Sequence, residues 1–364
     1  MSKVKNIIIS GGGTGGHLIP AFAIADALKI IENLNIRFIG STNGIEAKLF
    51  KKRSEKSHLL DFYGLKRSLD IKSIFHNLFI FPSKFLKSII NVLKIYKNFK
   101  PDVVVGTGGY SSAIPLLVAF LKGIKIIIQE QNSIPGLVNR FFITRANKAC
   151  FGFKPDTNNN ENIIVTGNPT IIKNNITDKV KSREFIKIKN MFTIFVLGGS
   201  QGSTPLNNHF LSNYKKYLNM GIQIVWQCGD KNLNQIKSSV KEDNIHLFGF
   251  TDNINYYYSA ADLVICRAGA LTLTELSIYN KACILVPFPF AAEDHQLKNA
   301  QYYKTKGAAE IIEQKFLNKG MLENKVEELF NNPDMIKKMQ NKTAFLSKPA
   351  AAKKIATEIL LAIK

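Results

Sequence analysis

Residues 7–28 read IIISGGGTGGHLIPAFAIADAL, an apolar run that breaks into glycines and then resumes with helical spacing. That order is typical of a β-strand, a tight loop and an α-helix whose first backbone N–H groups can meet a phosphate. Gly11, Gly13 and Gly16 satisfy the G-x-G-x-x-G pattern of dinucleotide-binding folds, and His17 stands where the helix should begin. The stretch predicts a phosphate site with two interpretations. One is a nicotinamide or flavin site with an incidental histidine; the other is a different diphosphate site in which His17 acts.

The same alternation of apolar runs and helix-like segments continues along the chain and predicts an α/β fold with parallel sheets. Because it restarts after a polar, Asn-rich stretch, we expect two Rossmann-like, doubly wound domains facing a cleft, at residues 1–165 and 166–345. A C-terminal helix lies within 346–364, and packing back on the first domain is one option for it. The predicted strands are residues 6–9, 36–39, 103–105, 124–128, 148–151, 193–197, 223–227, 246–248, 263–266 and 283–286. The predicted helices include residues 20–30, 44–50, 84–98, 111–122 and 350–363.

Composition excludes several protein classes. The 364 residues are 45% hydrophobic and 21% charged, as in globular proteins with an ample core. We expect no signal peptide and no membrane-spanning segment, and the four separated cysteines indicate reduced core residues of a cytosolic protein. The net charge of +22 suits nucleic acid, an acidic membrane or a phosphorylated ligand, but lysine is abundant along the whole chain, so composition bias is an alternative.

Two further loops resemble the first in their chemistry. Residues 192–208, FTIFVLGGSQGSTPLNN, again lead from a strand through glycines to a helix start, and two such loops in matching places favour a phosphate-bearing ligand. In residues 261–276, ADLVICRAGALTLTEL, Glu275 lies about one turn into the predicted helix. Its carboxylate has two possible roles, a capping box at the helix N-terminus or an acceptor for ribose hydroxyls.

Polar side chains follow three more predicted strands, at 103–113 (VVVGTGGYSSA), 126–136 (IIIQEQNSIPG) and 287–300 (PFPFAAEDHQLKNA). Such positions open into the ligand crevice of a parallel sheet. A nicotinamide site also needs an acidic residue at the end of the second strand, and residues 37–44, RFIGSTNG, contain none. There is no D-x-D pair and no His/Cys cluster with zinc spacing, so we expect no obligatory metal and no other cofactor.

Taken together, these motifs resemble one family, the lipid-linked N-acetylglucosaminyltransferases of bacterial peptidoglycan synthesis, which have the GT-B fold. The matching segments, in family order, are GGGTGGHLIP, PDVVVGTGGYSS, QEQNSIPG, VTGNP, LGGSQGS, CRAGALTLTEL and EDHQLKNA. The resemblance implies an inverting transfer of N-acetylglucosamine from UDP-N-acetylglucosamine to the 4-hydroxyl of a polyprenyl-diphosphate-linked N-acetylmuramyl pentapeptide. It also implies an acceptor- and membrane-facing first domain and a UDP-sugar-binding second domain.

Residue by residue, the resemblance implies His17 as the general base or positioning group, with Glu130 as a rival for the base. Tyr110 would lie on the acceptor side. UDP-N-acetylglucosamine would be bound by Thr14, Gly15, Gly16, Asn132, Ser200, Gln201, Thr251, Ala270, Leu271, Thr272, Glu275 and Gln296. The chain departs from the family pattern in three places. Ile171 stands where the family has an arginine that contacts the nucleotide, and Gln129 stands where a histidine is common. Thr251 stands where the family often has an isoleucine beside the uracil.

Residues 66–100 carry eight Lys/Arg and one acid, interleaved with large apolar residues. This pattern is typical of a peripheral protein on anionic lipid. The resemblance implies that the lipid surface is the cytoplasmic face of the bacterial inner membrane, with cell-wall synthesis proteins as candidate partners. The predicted membrane residues are Phe79, Ile80, Phe81, Phe85, Lys84 and Lys87, whereas Ile89, Leu93 and Tyr96 are expected in the core. Nucleic acid is disfavoured because no recognition motif accompanies the charge. The alternatives are another UDP-sugar-dependent lipid or natural-product glycosyltransferase, a dinucleotide oxidoreductase, and a basic binding protein without catalysis.

Overall fold

A computed structural model describes residues 4–30, 34–62, 64, 70, 77, 80–155, 160–171, 177–199 and 201–364. The chain divides into two compact units. The first comprises Met1–Ile171 with Pro349–Lys364, and the second comprises Ile172–Lys348.

The described part of the first unit forms a seven-stranded parallel sheet with the order β3-β2-β1-β4-β5-β6-β7. Its strands are β1 (Lys5–Ser10), β2 (Leu34–Ser41), β3 (Lys56–Leu60), β4 (Val103–Gly106), β5 (Lys125–Glu130), β6 (Lys148–Phe151) and β7 (Ile163–Val165). Its helices are α1 (Gly15–Lys29), α2 (Glu46–Leu49), α3 (Phe81–Phe99), α4 (Ala113–Leu121), α5 (Leu137–Ile143) and the C-terminal α14 (Ala351–Ala362). The order reverses between β1 and β4, which is where doubly wound sheets open a ligand crevice.

Helices cover both faces of this sheet, because alternate strand residues point to opposite sides. Ile7 and Ile9 pack with α1 and α14, while Ile8 packs with α3, α4 and α5. Helix α14 lies against α1 and is tied to the first strand by Lys5, whose Nζ donates to the Ile363 carbonyl at 2.7 Å. The C-terminal helix therefore completes the core of the first unit.

The second unit forms a six-stranded parallel sheet in its described residues, with the order β10-β9-β8-β11-β12-β13. Its strands are β8 (Thr193–Leu197), β9 (Gln223–Gln227), β10 (Ile245–Phe248), β11 (Leu263–Cys266), β12 (Ala282–Leu285) and β13 (Ala309–Ile311). Its helices are α6 (Lys179–Phe185), α7 (Thr204–Asn219), α8 (Asp230–Ser239), α9 (Ile254–Ala260), α10 (Ala270–Ile278), α11 (His295–Thr305), α12 (Met321–Phe330) and α13 (Pro333–Phe345). Here the order reverses between β8 and β11.

Every strand predicted from the sequence is present, and the three strands missed by the sequence reading (β3, β7 and β13) lie at sheet edges. An edge strand has a neighbouring strand on one side only, so its residues are less buried. It therefore lacks the continuous apolar run that marks central parallel strands. The predicted start of the first helix was wrong. Helix α1 begins at Gly15, and Pro20 lies inside it, where its missing N–H removes one main-chain hydrogen bond.

Candidate active site

In the first unit, the loops after β1 and β4 meet at the point where the strand order reverses. Gly108 and Gly109 have φ of 95° and 78°, a conformation that favours glycine. A Cβ on Gly108 would lie 2.7 Å from Cδ2 of His17, and one on Gly109 would lie 2.4 Å from the Gly12 carbonyl oxygen. The two glycines thus allow the second loop to close against the first, and they seat the imidazole of His17 in this crevice.

The His17 side chain is oriented by its neighbours. Its Nδ1 lies 3.1 Å from Oγ1 of Thr14, and its carbonyl accepts a hydrogen bond of 2.8 Å from Oγ1 of Thr107. Thr107 is fully buried, and Gly11 leaves room for it, since a Cβ there would lie 1.8 Å from that hydroxyl oxygen. The structure therefore brings Thr14, Gly15, Gly16 and His17 together at one helix start, as the sequence predicts.

Glu46, the first residue of α2, holds this loop and was missed by sequence reasoning. Its side chain is fully buried, and its two carboxylate oxygens accept backbone N–H groups of Gly13 at 2.8 Å and Ser41 at 2.9 Å. A Cβ on Gly12 would lie 2.3 Å from that carboxyl, and one on Gly44 would lie 2.0 Å from it. The surplus glycines thus make room for an internal acid. Because both of its carboxylate oxygens already accept hydrogen bonds, Glu46 cannot hold a ribose. The sequence feature that could have predicted this role is an acid flanked by glycines shortly after a strand end.

Glu130 anchors the loop after β5. Its Oε1 accepts the backbone N–H of Asn132 at 2.8 Å, while Oε2 accepts Nδ2 of Asn139 at 2.8 Å and the N–H of Gly136 at 3.1 Å. Burial raises the pKa of the Glu130 carboxyl, and these hydrogen bonds oppose that shift. Both oxygens are engaged by donors of the loop after β5 and of α5. Glu130 therefore holds the main chain at Asn132 in place.

Two of the departures from the family pattern lie in the first unit. Gln129 is fully buried, and its Nε2 donates to Oδ1 of Asn168 at 3.2 Å, so it joins the loops after β5 and β7. Asn168 in turn donates to the Gln131 carbonyl at 2.9 Å. Ile171, which replaces the family arginine, is 52% exposed. Tyr110 packs its ring against Gly13, where a Cβ would lie 3.0 Å from Cε1.

In the second unit, the loops after β8 and β11 also meet where the strand order reverses. Gly202 has φ of 78°, and a Cβ there would lie 2.1 Å from the Cys228 carbonyl oxygen, so only glycine fits. Arg267, directly after β11, donates from Nε to Oγ of Ser203 at 3.1 Å and so joins the two loops. Gln201 is exposed on the first loop. Ser200 lies outside the described residues.

Helix α10 begins directly after the second of these loops, with Ala270, Leu271 and Thr272 in its first turn. Glu275 follows and is half-buried; its Oε2 accepts the hydroxyl of Tyr258 at 2.7 Å. Burial raises the pKa of Glu275 to about 7. The capping-box interpretation of Glu275 is wrong, because that residue lies beyond the first turn and bonds a tyrosine of α9 instead.

The remaining predicted donor residues also lie after strands of this sheet. Gln296 is in the first turn of α11, and its Oε1 accepts the Phe288 N–H at 3.0 Å. The Tyr303 hydroxyl donates to the Leu273 carbonyl at 2.7 Å, which ties α11 to α10. Thr251 follows β10, and its Oγ1 accepts the Asn253 N–H at 3.1 Å. Gln296 and Thr251 thus lie at the carboxyl edge of the second sheet.

Helix α3 places the predicted membrane residues on different sides of the helix. Phe81 and Phe85 turn inward and pack on Phe62, with ring centroids 5.4 and 5.8 Å away, and Lys84 pairs with Asp61 at 3.0 Å. The outward apolar residues are Leu86, Ile90 and Leu93, which are 60%, 45% and 37% exposed, so Leu93 is not in the core. Lys87 is exposed and Ile80 is 37% exposed, while Phe79 lies outside the described residues. A helix has only one inward face, and the apolar run alone does not say which side that is.

The described parts of the chain contain no group of three His, Cys, Asp or Glu side chains that could hold a metal ion. They also contain no helix that is both long and apolar enough to cross a membrane.

Comparison with known proteins identifies the family. Residues 7–151 match the glycosyltransferase family 28 N-terminal domain, and residues 193–358 match the family 28 C-terminal domain. The UDP-N-acetylglucosamine–N-acetylmuramyl-(pentapeptide) pyrophosphoryl-undecaprenol N-acetylglucosamine transferase of Flavobacterium psychrophilum is 35% identical over 97% of this chain and 96% of its own. The protein of the same name from Finegoldia magna is 34% identical over 97% of each chain.

A solved structure agrees with this assignment. The crystal structure of Acinetobacter baumannii MurG has a TM-score of 0.78 and 26% identity, and the match covers 98% of this chain and 99% of that one. The two sheets of parallel strands are those of the GT-B fold. The named relatives are glycosyltransferases, which argues against the oxidoreductase and non-catalytic alternatives. The chain belongs to glycosyltransferase family 28 and, within it, to the family of UDP-N-acetylglucosamine-dependent transferases that act on the lipid-linked N-acetylmuramyl pentapeptide.

Proposed function

We propose that this protein transfers N-acetylglucosamine from UDP-N-acetylglucosamine to the 4-hydroxyl of undecaprenyl-diphosphate-linked N-acetylmuramyl pentapeptide, with inversion. The observation that carries this proposal is the match to named transferases along nearly the whole chain. It is supported by the two pairs of glycine-rich loops, one pair at the strand-order reversal of each sheet, where α/β proteins bind phosphate-bearing ligands.

The donor binds the second unit in this proposal. The loop before α7, with Ser200 and Gln201, and the first turn of α10 present helix N-termini to the diphosphate. Glu275 accepts the ribose hydroxyls, and Gln296 contacts the sugar. Helix dipoles and backbone amides carry the charge, so we propose that the protein needs no obligatory metal and no further cofactor.

The acceptor meets the first unit, with Tyr110 on its side of the site. His17 takes the proton of the attacking 4-hydroxyl or holds that hydroxyl in line, and its Nδ1 contact with Thr14 sets the ring plane. Asn132, positioned by Glu130, forms a hydrogen bond with the donor sugar. The bond from the sugar to the β-phosphate breaks as the new glycosidic bond forms.

A transfer assay with variants of His17 tests this mechanism. Wild-type protein should convert the lipid-linked muramyl pentapeptide with UDP-N-acetylglucosamine and not with UDP-galactose. His17→Ala should abolish turnover while leaving UDP affinity within about twofold. His17→Gln keeps a polar group near Thr14 but takes no proton, so recovery of activity by glutamine would assign His17 to positioning instead of base catalysis. A near-normal rate for His17→Ala would contradict both roles. No transfer by the wild type would refute the proposed function.

We propose further that the first unit lies on the cytoplasmic face of the bacterial inner membrane as a peripheral protein, where it can meet cell-wall synthesis proteins. The supporting feature is an exposed apolar stripe on α3 with lysines beside it. Leu86, Ile90 and Leu93 have i, i+4, i+7 spacing on one face of the helix, and Lys87 and Lys94 are exposed next to them. Apolar residues with a basic rim suit anionic headgroups.

Vesicle co-sedimentation tests the membrane proposal. Wild-type protein should bind phosphatidylglycerol vesicles more strongly than phosphatidylcholine vesicles, and the double variant Leu86→Ser with Ile90→Ser should lose most of that binding. Leu361→Ser is the matched control, since Leu361 is 53% exposed on α14, which covers the opposite face of the same sheet. Equal binding by the double variant and the control would refute this surface.

A further inference from the structure

A cavity of about 420 Å³, here called the edge cavity, lies between the edge strand β3 and helix α3 of the first unit. Residues 57–60 of the strand line one side, and Asn91, Lys94 and Ile95 of the helix line the other. Its volume is within the range of small-ligand sites. The proposed active site lies where the strand order reverses between β1 and β4, and β3 is two strands away from β1. The edge cavity is therefore a separate site.

His58 is the residue of the edge cavity whose hydrogen bonding is incomplete. It pairs with Ile39 in the register of β3 with β2, and Ile39 packs in the part of the core that α3 covers. The imidazole therefore lies on the side of the sheet that faces α3. Its Nε2 is buried and has no hydrogen-bond partner among the described residues. Because a buried polar atom without a partner costs free energy, this nitrogen favours a ligand that supplies one.

The charges around His58 indicate the sign of that ligand. Lys56 lies on the same face of β3, Arg37 pairs with Lys56 in the strand register, and Lys94 lines the cavity from α3. Among the described residues that line the cavity there is no acid, and the acids that flank β3 in the sequence pair with basic residues elsewhere. Burial and the positive charges of Arg37 and Lys56 lower the pKa of His58. These surroundings favour an anion.

The edge cavity adjoins the apolar stripe of α3. Asn91 and Lys94, which line the cavity, directly follow Ile90 and Leu93 of the stripe in the sequence. Each is therefore about 100° around the helix axis from its apolar neighbour, at 3.6 residues per turn. A ligand with a charged head and an apolar tail could place the head in the cavity and the tail on the stripe.

We propose that the edge cavity binds a phosphate group, which accepts a hydrogen bond from Nε2 of His58. Lys94 supplies a charged donor from the opposite wall, and such a donor forms a stronger bond than a neutral one. The phosphate belongs either to the headgroup of an anionic lipid or to free inorganic phosphate. The lipid source rests on the membrane part of the proposed function, whereas the free source does not.

NMR of protein labelled with carbon-13 in its six histidines tests this site, because His58→Gln identifies the His58 signal by removing it. The two probes are inorganic phosphate and dihexanoylphosphatidylglycerol below its micelle concentration, each compared with sodium chloride at equal ionic strength. We expect the His58 signal to shift with a phosphate probe and not with chloride. Lipid binding that is tighter by roughly tenfold or more, the effect of burying about two methylene groups, would assign the lipid source. Equal affinities would assign free phosphate.

A charge variant on the exposed wall of the cavity measures the contribution of Lys94 without disturbing the core. Lys94→Gln should weaken binding of the phosphate probe by roughly threefold to tenfold, since the ammonium is exposed and its interaction is partly screened. Lys97→Gln is the matched control. It removes an exposed positive charge three residues further along α3, from a residue that does not line the cavity, so the affinity should stay within about twofold.

A pH series of the same NMR signal gives a second readout. The charged groups facing His58 are Arg37 from β2, Lys56 from its own strand and Lys94 from α3, so a bound phosphate should raise the pKa of His58 and chloride should not. Three results would overturn the proposal: no His58 shift with either probe, an equal shift with chloride, or equal affinities of Lys94→Gln and Lys97→Gln. None of these measurements uses turnover, so a failure of the transfer reaction would refute the proposed function and leave this result unchanged.

Discussion

Replacement of Glu46 by glutamine tests how the glycine loop before α1 is held. The carboxylate is fully buried and bonds the N–H groups of Gly13 and Ser41 at 2.8 and 2.9 Å. Glutamine has the same shape, but its amide nitrogen faces one of these two donors. One charge-assisted hydrogen bond is lost, which costs about 1.5–3 kcal/mol, and the donor–donor contact adds about 1 kcal/mol. We therefore expect the free energy of opening this loop to fall by about 2.5–4 kcal/mol.

Hydrogen exchange measured by mass spectrometry reads this opening directly. A loss of that size should speed amide exchange in peptides covering residues 11–16 by roughly 70- to 1,000-fold, at tenfold per 1.36 kcal/mol. The transfer rate should fall at least roughly tenfold, because His17 loses its fixed position. UDP affinity should not change, since the proposed donor residues of the second unit are untouched. Glu328→Gln removes an exposed carboxylate and is the control.

A double-mutant cycle sharpens this test. A Cβ on Gly12 would lie 2.3 Å from the Glu46 carboxyl, so Gly12→Ala alone should disturb the loop. In a Glu46→Ala background that space is vacated, and the second substitution should cost clearly less than it does alone. Two results would refute this account of the loop. One is an amide exchange rate of residues 11–16 in Glu46→Gln within about twofold of the wild-type rate, and the other is strict additivity of the two substitutions in the cycle.

Three further predictions concern other contacts of the two units. Thr107→Val keeps shape but removes the hydroxyl that donates to the His17 carbonyl at 2.8 Å; the transfer rate should fall, with UDP affinity by calorimetry unchanged. UDP affinity should decrease as pH falls through about 7, because burial raises the pKa of Glu275 to about 7 and its protonated form is a poorer acceptor. Tyr258→Phe removes a hydrogen bond that lowers that pKa and should move the midpoint of a UDP-affinity pH series up by about one unit. Ile359→Ala, at a fully buried position of α14, should destabilise the first unit by about 2–4 kcal/mol in urea unfolding, and a loss below 1 kcal/mol would contradict the core role of the C-terminal helix.

The central strands of both sheets were predictable because parallel strands buried on both faces must be apolar along their whole length. Ile7–Ile9 and Phe195–Val196 are such runs, and both are fully buried. The edge strand Lys56–Leu60 carries exposed and half-buried residues and gave no comparable signal. Its place in the sheet is set by pairing with β2, a contact that the segment itself does not encode.

The sequence alone was enough to predict the family. The glycines, the polar residues that follow the strands and the order of these motifs along the chain can all be read directly from it. Tertiary structure decided what each side chain does. Glu46 and Glu130 are both acids near strand ends, yet backbone and amide donors surround them and make them internal anchors. Arg267 is one cation among 49 lysines and arginines until the fold places its guanidinium between Ser203 and Gln314. Burial and hydrogen-bond partners depend on which distant segments meet, and no local pattern contains that information.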